Sequence, residues 1–411
     1  MKILLLTDVP PCKDFSGGLL TDSLCRYLPS GEIVCVVVRN NYLAHIKTSD
    51  DLGIETLYLT KPRENASLYF RRYFKIYRII NFFYELYSEF ILTKKLTKQI
   101  VTFGQLHNVD RVWCILQGQT TIRLAMKVQK GLNVPLLTQV WDHVSWWIGH
   151  NDINKLTAKR IINQYERALS MSACCGAASY AMAELIKKDG IPAIPLVSSL
   201  PKNITYRAYP SSDKNSDTII IGFAGQTYAE STFNSLLDGL DSIGWKHENK
   251  MVKFRILGYN LSNVSLFDIS LKGHINRNIE YLGYRSQVET IDLLSECDIL
   301  FCPYIIDPKY SLVAQTSFPA KLTTYLATGV PVLYCGPSDS SPAVFLKEHE
   351  AGYICADPDG YSLMKMFKHI ISDKEYYRYI SKNALKAFKT HLADDVQKNS
   401  FNQFIHYGDQ K

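Results

Sequence analysis

TSFPAKLTTYLATGVPVLYCGPSDS, residues 316–340, reads as a helix-compatible stretch, a glycine at Gly329, a buried strand and a Gly-Pro-Ser turn. A helix that starts at a sheet's edge offers backbone N–H groups and a positive dipole end, which suit an anion such as a diphosphate. Lys321 falls in the first turn of that helix, where a cation opposes the dipole, so an anion in front of it makes better sense of the residue. The plain alternative is a solvated surface lysine.

On the C-terminal side of a linker-like stretch, PSSDKNSDT at 210–218, apolar runs recur as TIIIGFAG (218–225), FRILG (254–258), IEYLG (279–283), DILFCPY (298–304), VPVLYCG (330–336) and GYICA (352–356). Several end on glycine or proline where a loop should begin. In open α/β sheets, ligands bind beyond the carboxyl ends of the strands, and glycine there lets backbone approach them. The second half therefore looks like a nucleotide-binding domain. On the N-terminal side, runs near 2–7, 32–38, 55–58, 111–115, 135–140, 173–177 and 194–198 alternate with longer amphipathic stretches, the pattern of parallel sheets with crossover helices.

A chain of 411 residues exceeds the roughly 250–300 at which one hydrophobic core stops growing. We expect an acceptor-side domain at 1–209, a linker at 210–217, a second domain at 218–390 and a helical tail at 391–411 packing back on the first. The tail's aromatics include Phe401 and Phe404. Apolar residues at 46% and charged residues at 21% argue against disorder or a fibrous repeat.

The formal charge of +7 is the excess of 46 basic over 39 acidic residues, and the basic ones are spread widely. Nucleic acid is not favoured as a partner; phosphorylated small molecules or an anionic membrane surface account for the balance. The opening MKILLLTDVPP reads as a first buried strand, with no signal-peptide cleavage site. No window approaches the ~20 apolar residues that span a bilayer. Most of the ten cysteines sit in apolar segments, which fits free thiols in a reducing cytoplasm. No Cys or His spacing suggests a metal site, and neither a metal nor a cofactor is expected.

Phe318, Pro319, Lys321, Tyr325, Ala327, Gly329, Pro331 and Val332 resemble the Phe-Pro-x-Lys, Tyr-x-Ala-x-Gly and Pro-Val signature of GT-B glycosyltransferases, family 4 in particular. The likeness continues in order through Gly17-Gly18, GFAG at 222–225, ILG at 256–258, YLGY at 281–284 and CDILFCPY at 297–304. It implies two Rossmann-like, doubly wound domains facing across a cleft, and metal-independent, retaining transfer of a sugar from a nucleotide sugar. The acceptor implied is a glycan or a lipid-linked saccharide, as in bacterial surface polysaccharide synthesis, with the protein cytoplasmic or peripheral on the membrane's inner face. By the same likeness, Tyr284 and Arg285 hold the base, and Gly225 and Gln226 begin the loop facing the diphosphate, where a basic residue is usual and none stands here. Arg285 and Lys309 are further candidates for the leaving group's charge.

One departure stands out. The family's two glutamates, by the donor sugar and the ribose, align with Thr316 and Thr324. Hydroxyls still bond ribose or sugar but bring no negative charge. An altered donor, a more distant family or lost catalysis each follow from this.

In the first half, Gly17 and Gly18 are expected to let backbone pass a donor phosphate or sugar, an ordinary loop being the alternative. LLTQVWDHVSWW, 136–147, releases Trp141, Asp142, His143, Trp146 and Trp147 from a strand end. Indole faces pack on pyranose rings, and Asp142 with His143 can act on an acceptor hydroxyl as base and orienting partner. The alternative is a loop packed by its own tryptophans with Asp142 capping a helix. Gln117 and Gln119 are candidate sugar ligands.

Residues 66–95 carry aromatic and apolar side chains at Tyr69, Tyr73, Ile76, Ile80, Phe83 and Tyr87 among Arg71, Arg72, Lys75 and Arg78. Such a helix can lie on an anionic membrane, although a core-facing stripe is the commoner reason for the pattern. Two competing functions remain open: a nucleotide-sugar 2-epimerase of the same architecture, and a non-catalytic sugar binder.

Overall fold

Seven short runs in the first half form one parallel sheet: Ile3–Thr7 (β1), Ile33–Arg39 (β2), Glu55–Thr60 (β3), Arg111–Ile115 (β4), Leu136–Val140 (β5), Cys174–Ala177 (β6) and Ala193–Pro195 (β7), ordered β3-β2-β1-β4-β5-β6-β7. The computed structural model describes residues 1–13, 16–64, 77–151, 153, 155–200, 217–226, 229–258 and 277–409. ILLLT, IVCVVVR and RVWCI are buried at every position, as parallel strands covered on both faces require. Leu4 and Leu6 join the core on one face, while Ile3 and Leu5 join the core on the other. That second core is closed by Phe401, Phe404 and Ile405, all fully buried, from the helix Asp394–Ile405. Arg111 adds bonds to the Ile405 carbonyl and to Asp409.

A second sheet is built the same way from Thr218–Ala224 (β8), Lys250–Leu257 (β10), Ile279–Gly283 (β11), Ile299–Pro303 (β12), Val332–Cys335 (β13) and Tyr353–Cys355 (β14), in the order β11-β10-β8-β12-β13-β14. A two-residue antiparallel strand, Lys246–His247 (β9), pairs with β10 and is too short to leave a sequence signal. Phe223, Phe254, Phe301 and Phe367 fill its core at 0% exposure.

In both sheets the first strand is flanked by strands that wind outward in opposite directions: β1 lies between β2 and β4, and β8 between β10 and β12. The switch points for ligand binding are therefore the carboxyl ends of β1 and β4 in one unit and of β8 and β12 in the other. The architecture is that of the GT-B fold, two Rossmann-like α/β domains.

The chain divides into two compact units, Met1–Val197 with Lys398–Lys411, and Ser198–Gln397. The first boundary falls earlier than the expected 209, because Ser198 and Ser199 already bond within the second unit: the Thr323 hydroxyl donates to the Ser198 carbonyl at 3.0 Å, and the Ser199 hydroxyl to the Leu392 carbonyl at 2.7 Å. Of the expected linker, 210–216 lies outside the described residues. The tail that returns to the first unit starts at Lys398, later than the expected 391. Among the described residues, no helix is long and apolar enough to cross a membrane.

Candidate functional site

Of the residues singled out in the second unit, Lys321, Tyr325, Gly225 and Gln226 meet where β8 ends. Tyr325 is fully buried in the helix Ala320–Thr328, and its hydroxyl accepts the Ala224 N–H at 2.8 Å, which ties that helix to the last residue of β8. One turn earlier, on the same helix face, Lys321 is thereby held over the strand end. Its Nζ donates to the Gln226 carbonyl at 3.2 Å and lies 4.3 Å from the Phe223 ring centre. Gly225, at φ +105°, leaves room for it: a Cβ there would stand 3.3 Å from Lys321 Cε.

Gly258, at the end of β10, is more constrained. Its φ is +134°, and a Cβ would come within 2.7 Å of the Gly225 carbonyl oxygen. The strand ends are thus stripped to backbone under one ammonium group. Burial pushes the Lys321 ammonium down from 10.5 to about 8, although the residue as a whole is only half-buried. A cation held in a poorly hydrated place is one that an arriving anion stabilises.

The other donor-side candidates separate into those near this helix and those bound to themselves. Pro319 precedes the helix Ala320–Thr328 at its N-cap, and the Phe318 ring meets Phe345 edge-on at 5.2 Å. Thr316 is buried and its hydroxyl donates to the Leu312 carbonyl at 2.7 Å, a bond within its own helix. Thr324 is half-buried on the helix Ala320–Thr328. Tyr284 is 55% exposed, and Arg285 donates to the Tyr284 carbonyl at 2.9 Å. The helix that follows is capped by Ser286, in a capping box with Glu289. Lys309 is exposed beside the Tyr310 ring.

In the first unit, Gly17 and Gly18 lie inside the first turn of the helix Ser16–Cys25. Their close neighbours are the protein's own: a Cβ on Gly17 would meet Trp141 Cζ3 at 2.7 Å, and one on Gly18 the Pro10 carbonyl at 2.7 Å. Packing alone therefore accounts for both glycines. Gln117 is the N-cap residue of the helix Gly118–Leu132 at the end of β4, and Gln119 is buried in a network with Glu85 and Arg123.

His143 caps the helix Val144–His150 through Nδ1, which accepts the Ser145 N–H at 3.2 Å, so the cap that the alternative reading of this loop gives to Asp142 belongs to its neighbour. Its Nδ1 is occupied, and burial lowers its pKa. Asp142 is half-buried. Trp147 packs on the core, Trp146 stacks on His150 at 5.4 Å, and among the described residues the buried Trp141 Nε1 has no hydrogen-bond partner.

Sequence reasoning missed a buried charge cluster at the other switch point. Lys61 lies 3.4 Å from Asp8 Oδ2, just past β1, and 3.0 Å from Glu64 Oε2. Glu64 in turn accepts the Thr120 N–H at 2.7 Å, at the start of the helix Gly118–Leu132. An acid directly after the first buried strand was the available signal; its partners, more than fifty residues away, gave none.

The stripe on the helix Tyr77–Tyr87 and its continuation faces outward. Ile79, Ile80, Phe83, Tyr87, Phe90 and Ile91 are between 49% and 63% exposed. The core-facing reading fails because the inward face is ionic: Glu85 pairs with Arg123 at 3.0 Å and Glu89 with Arg160 at 2.8 Å. Residues 66–76 of that stretch, with Tyr69, Tyr73, Ile76, Arg71, Arg72 and Lys75, lie outside the described residues. Among the described residues, no group of three or more His, Cys, Asp or Glu side chains is placed to hold a metal ion. All ten cysteines are buried, and none is in a disulfide.

Residues 208–387 match the family model for glycosyl transferases group 1. A search of curated protein sequences gave no match. Among solved structures, the chain is similar to HepE from Anabaena, crystallised with UDP and glucose, at 14% identity and a TM-score of 0.66, covering 98% of this chain and 99% of that one. Sucrose-phosphate synthase from Thermosynechococcus elongatus gives a TM-score of 0.70 at 10% identity, covering 99% and 98%. A putative UDP-N-acetylglucosamine 2-epimerase from Listeria monocytogenes gives 0.55 at 11% identity, covering 98% and 95%.

Proposed function

We propose that this chain is a glycosyltransferase that takes its sugar from a nucleoside diphosphate sugar, with UDP the first nucleotide to test. The observation that carries the reading is Lys321, a desolvated ammonium held by Tyr325 over the glycine end of β8. In this proposal Lys321 and the first turn of its helix stabilise the negative charge that develops on the departing diphosphate, the largest electrostatic demand of the reaction. Gly225 and Gly258 leave the strand ends bare enough for phosphate oxygens, and Phe318, Pro319, Thr324, Tyr284 and Arg285 line the donor side. No resident metal or cofactor is proposed. The family match over 208–387 and the UDP complex of HepE both support the reading.

Trp146 and Trp147, next to Asp142, are proposed on the acceptor side. The exposed apolar stripe, followed by exposed Lys94, Lys95 and Lys98, supports attachment to an anionic membrane, where lipid-linked acceptors reside. Co-sedimentation with phosphatidylserine vesicles at low salt tests this; Phe83→Asp should abolish it.

The donor reading is tested by a thermal-shift screen of UDP, GDP, dTDP and CMP sugars. Ligand at about 100 times Kd adds roughly 2.7 kcal/mol, several degrees in a domain of this size. A response to none of them would remove the proposal. The epimerase-like fold neighbour keeps a second reading alive; conversion of UDP-N-acetylglucosamine to its 2-epimer without transfer would favour it.

A further inference from the structure

Where the second sheet ends at β14, the two helices that follow carry an aromatic surface that the donor site does not use. In the helix Lys374–Ala387, Tyr377, Ile380 and Ala384 are buried. One position earlier, at the same spacing, Tyr376, Tyr379 and Asn383 form a second stripe. Tyr376 and Tyr379 are exposed, and their rings lie 6.0 Å apart at an interplanar angle of 20°. His369, exposed on the helix Gly360–Ser372, lies 6.1 Å from Tyr376 at 33°, so Tyr376 links the other two rings. The buried Tyr353 of β14 meets His369 and Tyr376 edge-on, at 6.0 and 5.5 Å. Single exposed apolar residues are ordinary, whereas a contiguous group of them marks a place where something binds.

The polar groups around the rings decide what. The Tyr353 hydroxyl is buried and, among the described residues, has no hydrogen-bond partner. Burial, with Tyr376 and Asp373 adding to it, keeps that hydroxyl protonated, so it is an unused donor. Beside Tyr379 the surroundings are polar: the Tyr379 hydroxyl donates to Glu350, and Asn383 Nδ2 donates to the Glu350 carbonyl at 3.4 Å. An apolar partner surface would leave the Tyr353 hydroxyl unserved. A pyranose combines both demands, since its C–H faces are apolar and pack on aromatic rings while its edges carry hydroxyls.

The geometry points to a saccharide-binding surface on the second unit, separate from the donor site. His369, Tyr376 and Tyr379 pack on successive pyranose rings of a glycan chain, and Tyr353, Glu350 and Asn383 bond its hydroxyls. Three linked rings suit a chain better than a single sugar. Binding here requires no nucleotide sugar, so it stands or falls apart from the transferase reading.

The test uses the full chain and four probes, maltohexaose, cellohexaose, chitohexaose and mannohexaose, titrated by calorimetry with sedimentation velocity alongside. At least one should bind. Tyr376→Leu keeps the apolar area but loses the flat ring, and it should weaken that probe about tenfold or more. Tyr376→Phe keeps the ring and should stay within about threefold of wild type. Tyr353→Phe removes only the unused hydroxyl; it should weaken the probe about threefold or more, whereas a hydroxyl that merely packs would leave the affinity unchanged. If Tyr376→Leu does not fold, Tyr379→Leu takes its place with the same expected loss. Binding of none of the probes, or an affinity that folded Tyr376→Leu or Tyr353→Phe leaves unchanged, overturns the inference. Self-association that Tyr376→Leu abolishes, with no probe bound, gives the surface to a second copy of the chain and overturns it as well.

Discussion

Replacing Lys321 with methionine keeps the apolar stem and removes the charge, and its consequences have opposite signs with and without nucleotide. In the free protein burial pushes the ammonium from 10.5 to about 8. An unfolded chain keeps that proton until about pH 10.5, whereas the folded chain releases it near 8. Between those values the unfolded state binds more protons, so wild-type stability rises with pH relative to Lys321→Met. The difference, 10.5 minus about 8, is roughly 2.5 pKa units, a ceiling of about 3 kcal/mol at ~1.36 kcal/mol per unit. Partial exposure of the residue reduces this to about 1–2 kcal/mol. For a unit near 200 residues that is roughly 2–8 °C. The pH-independent losses, the Gln226 carbonyl bond and the contact with Phe223, cancel from the slope.

With a UDP-sugar bound, the diphosphate restores the cation, and a charge-assisted bond of about 1.5–3 kcal/mol makes Lys321→Met bind at least tenfold more weakly at pH 7. Differential scanning fluorimetry from pH 6.5 to 10.5, with and without UDP-sugar, reads both effects. An unchanged nucleotide shift in Lys321→Met, or melting temperatures parallel across the pH range, would refute the reasoning.

Tyr325→Phe removes the hydroxyl that accepts the Ala224 N–H and leaves that amide buried without a partner, so we expect about 1–3 kcal/mol of lost stability and weaker nucleotide binding, read by urea melts and titration calorimetry. Gly258→Ala forces a side chain onto φ +134° and into the Gly225 carbonyl; hydrogen exchange should show the end of β8 loosened while β1 and β4 keep their protection. His143→Ala should cost about 1 kcal/mol as a lost N-cap, with kcat changed less than threefold, because Nδ1 already serves the Ser145 N–H.

Much of the fold is legible because buried parallel strands leave unbroken apolar runs, and IVCVVVR or TIIIGFA has few other readings. The two residues of β9 carry no such signal. At the site, Phe318 to Gly329 declares itself locally, since helix start, lysine, tyrosine and C-terminal glycine lie within one element. What escapes is whatever depends on long-range pairing. Asp8, Lys61 and Glu64 meet only through the sheet, and the ionic inner face of the helix Tyr77–Tyr87 depends on Arg123 and Arg160 from later elements. Hydroxyls and imidazoles are ambiguous for a related reason: Thr316 bonds its own helix and His143 its own cap, and only coordinates distinguish such bonds from bonds to a ligand.

The central claim, sugar transfer from a nucleotide donor, is tested most directly by following UDP-glucose and an octyl glycoside with the full chain by proton and phosphorus NMR. The account predicts free UDP appearing in step with a new glycosidic anomeric signal. A donor that stays intact, or is only isomerised, would contradict it.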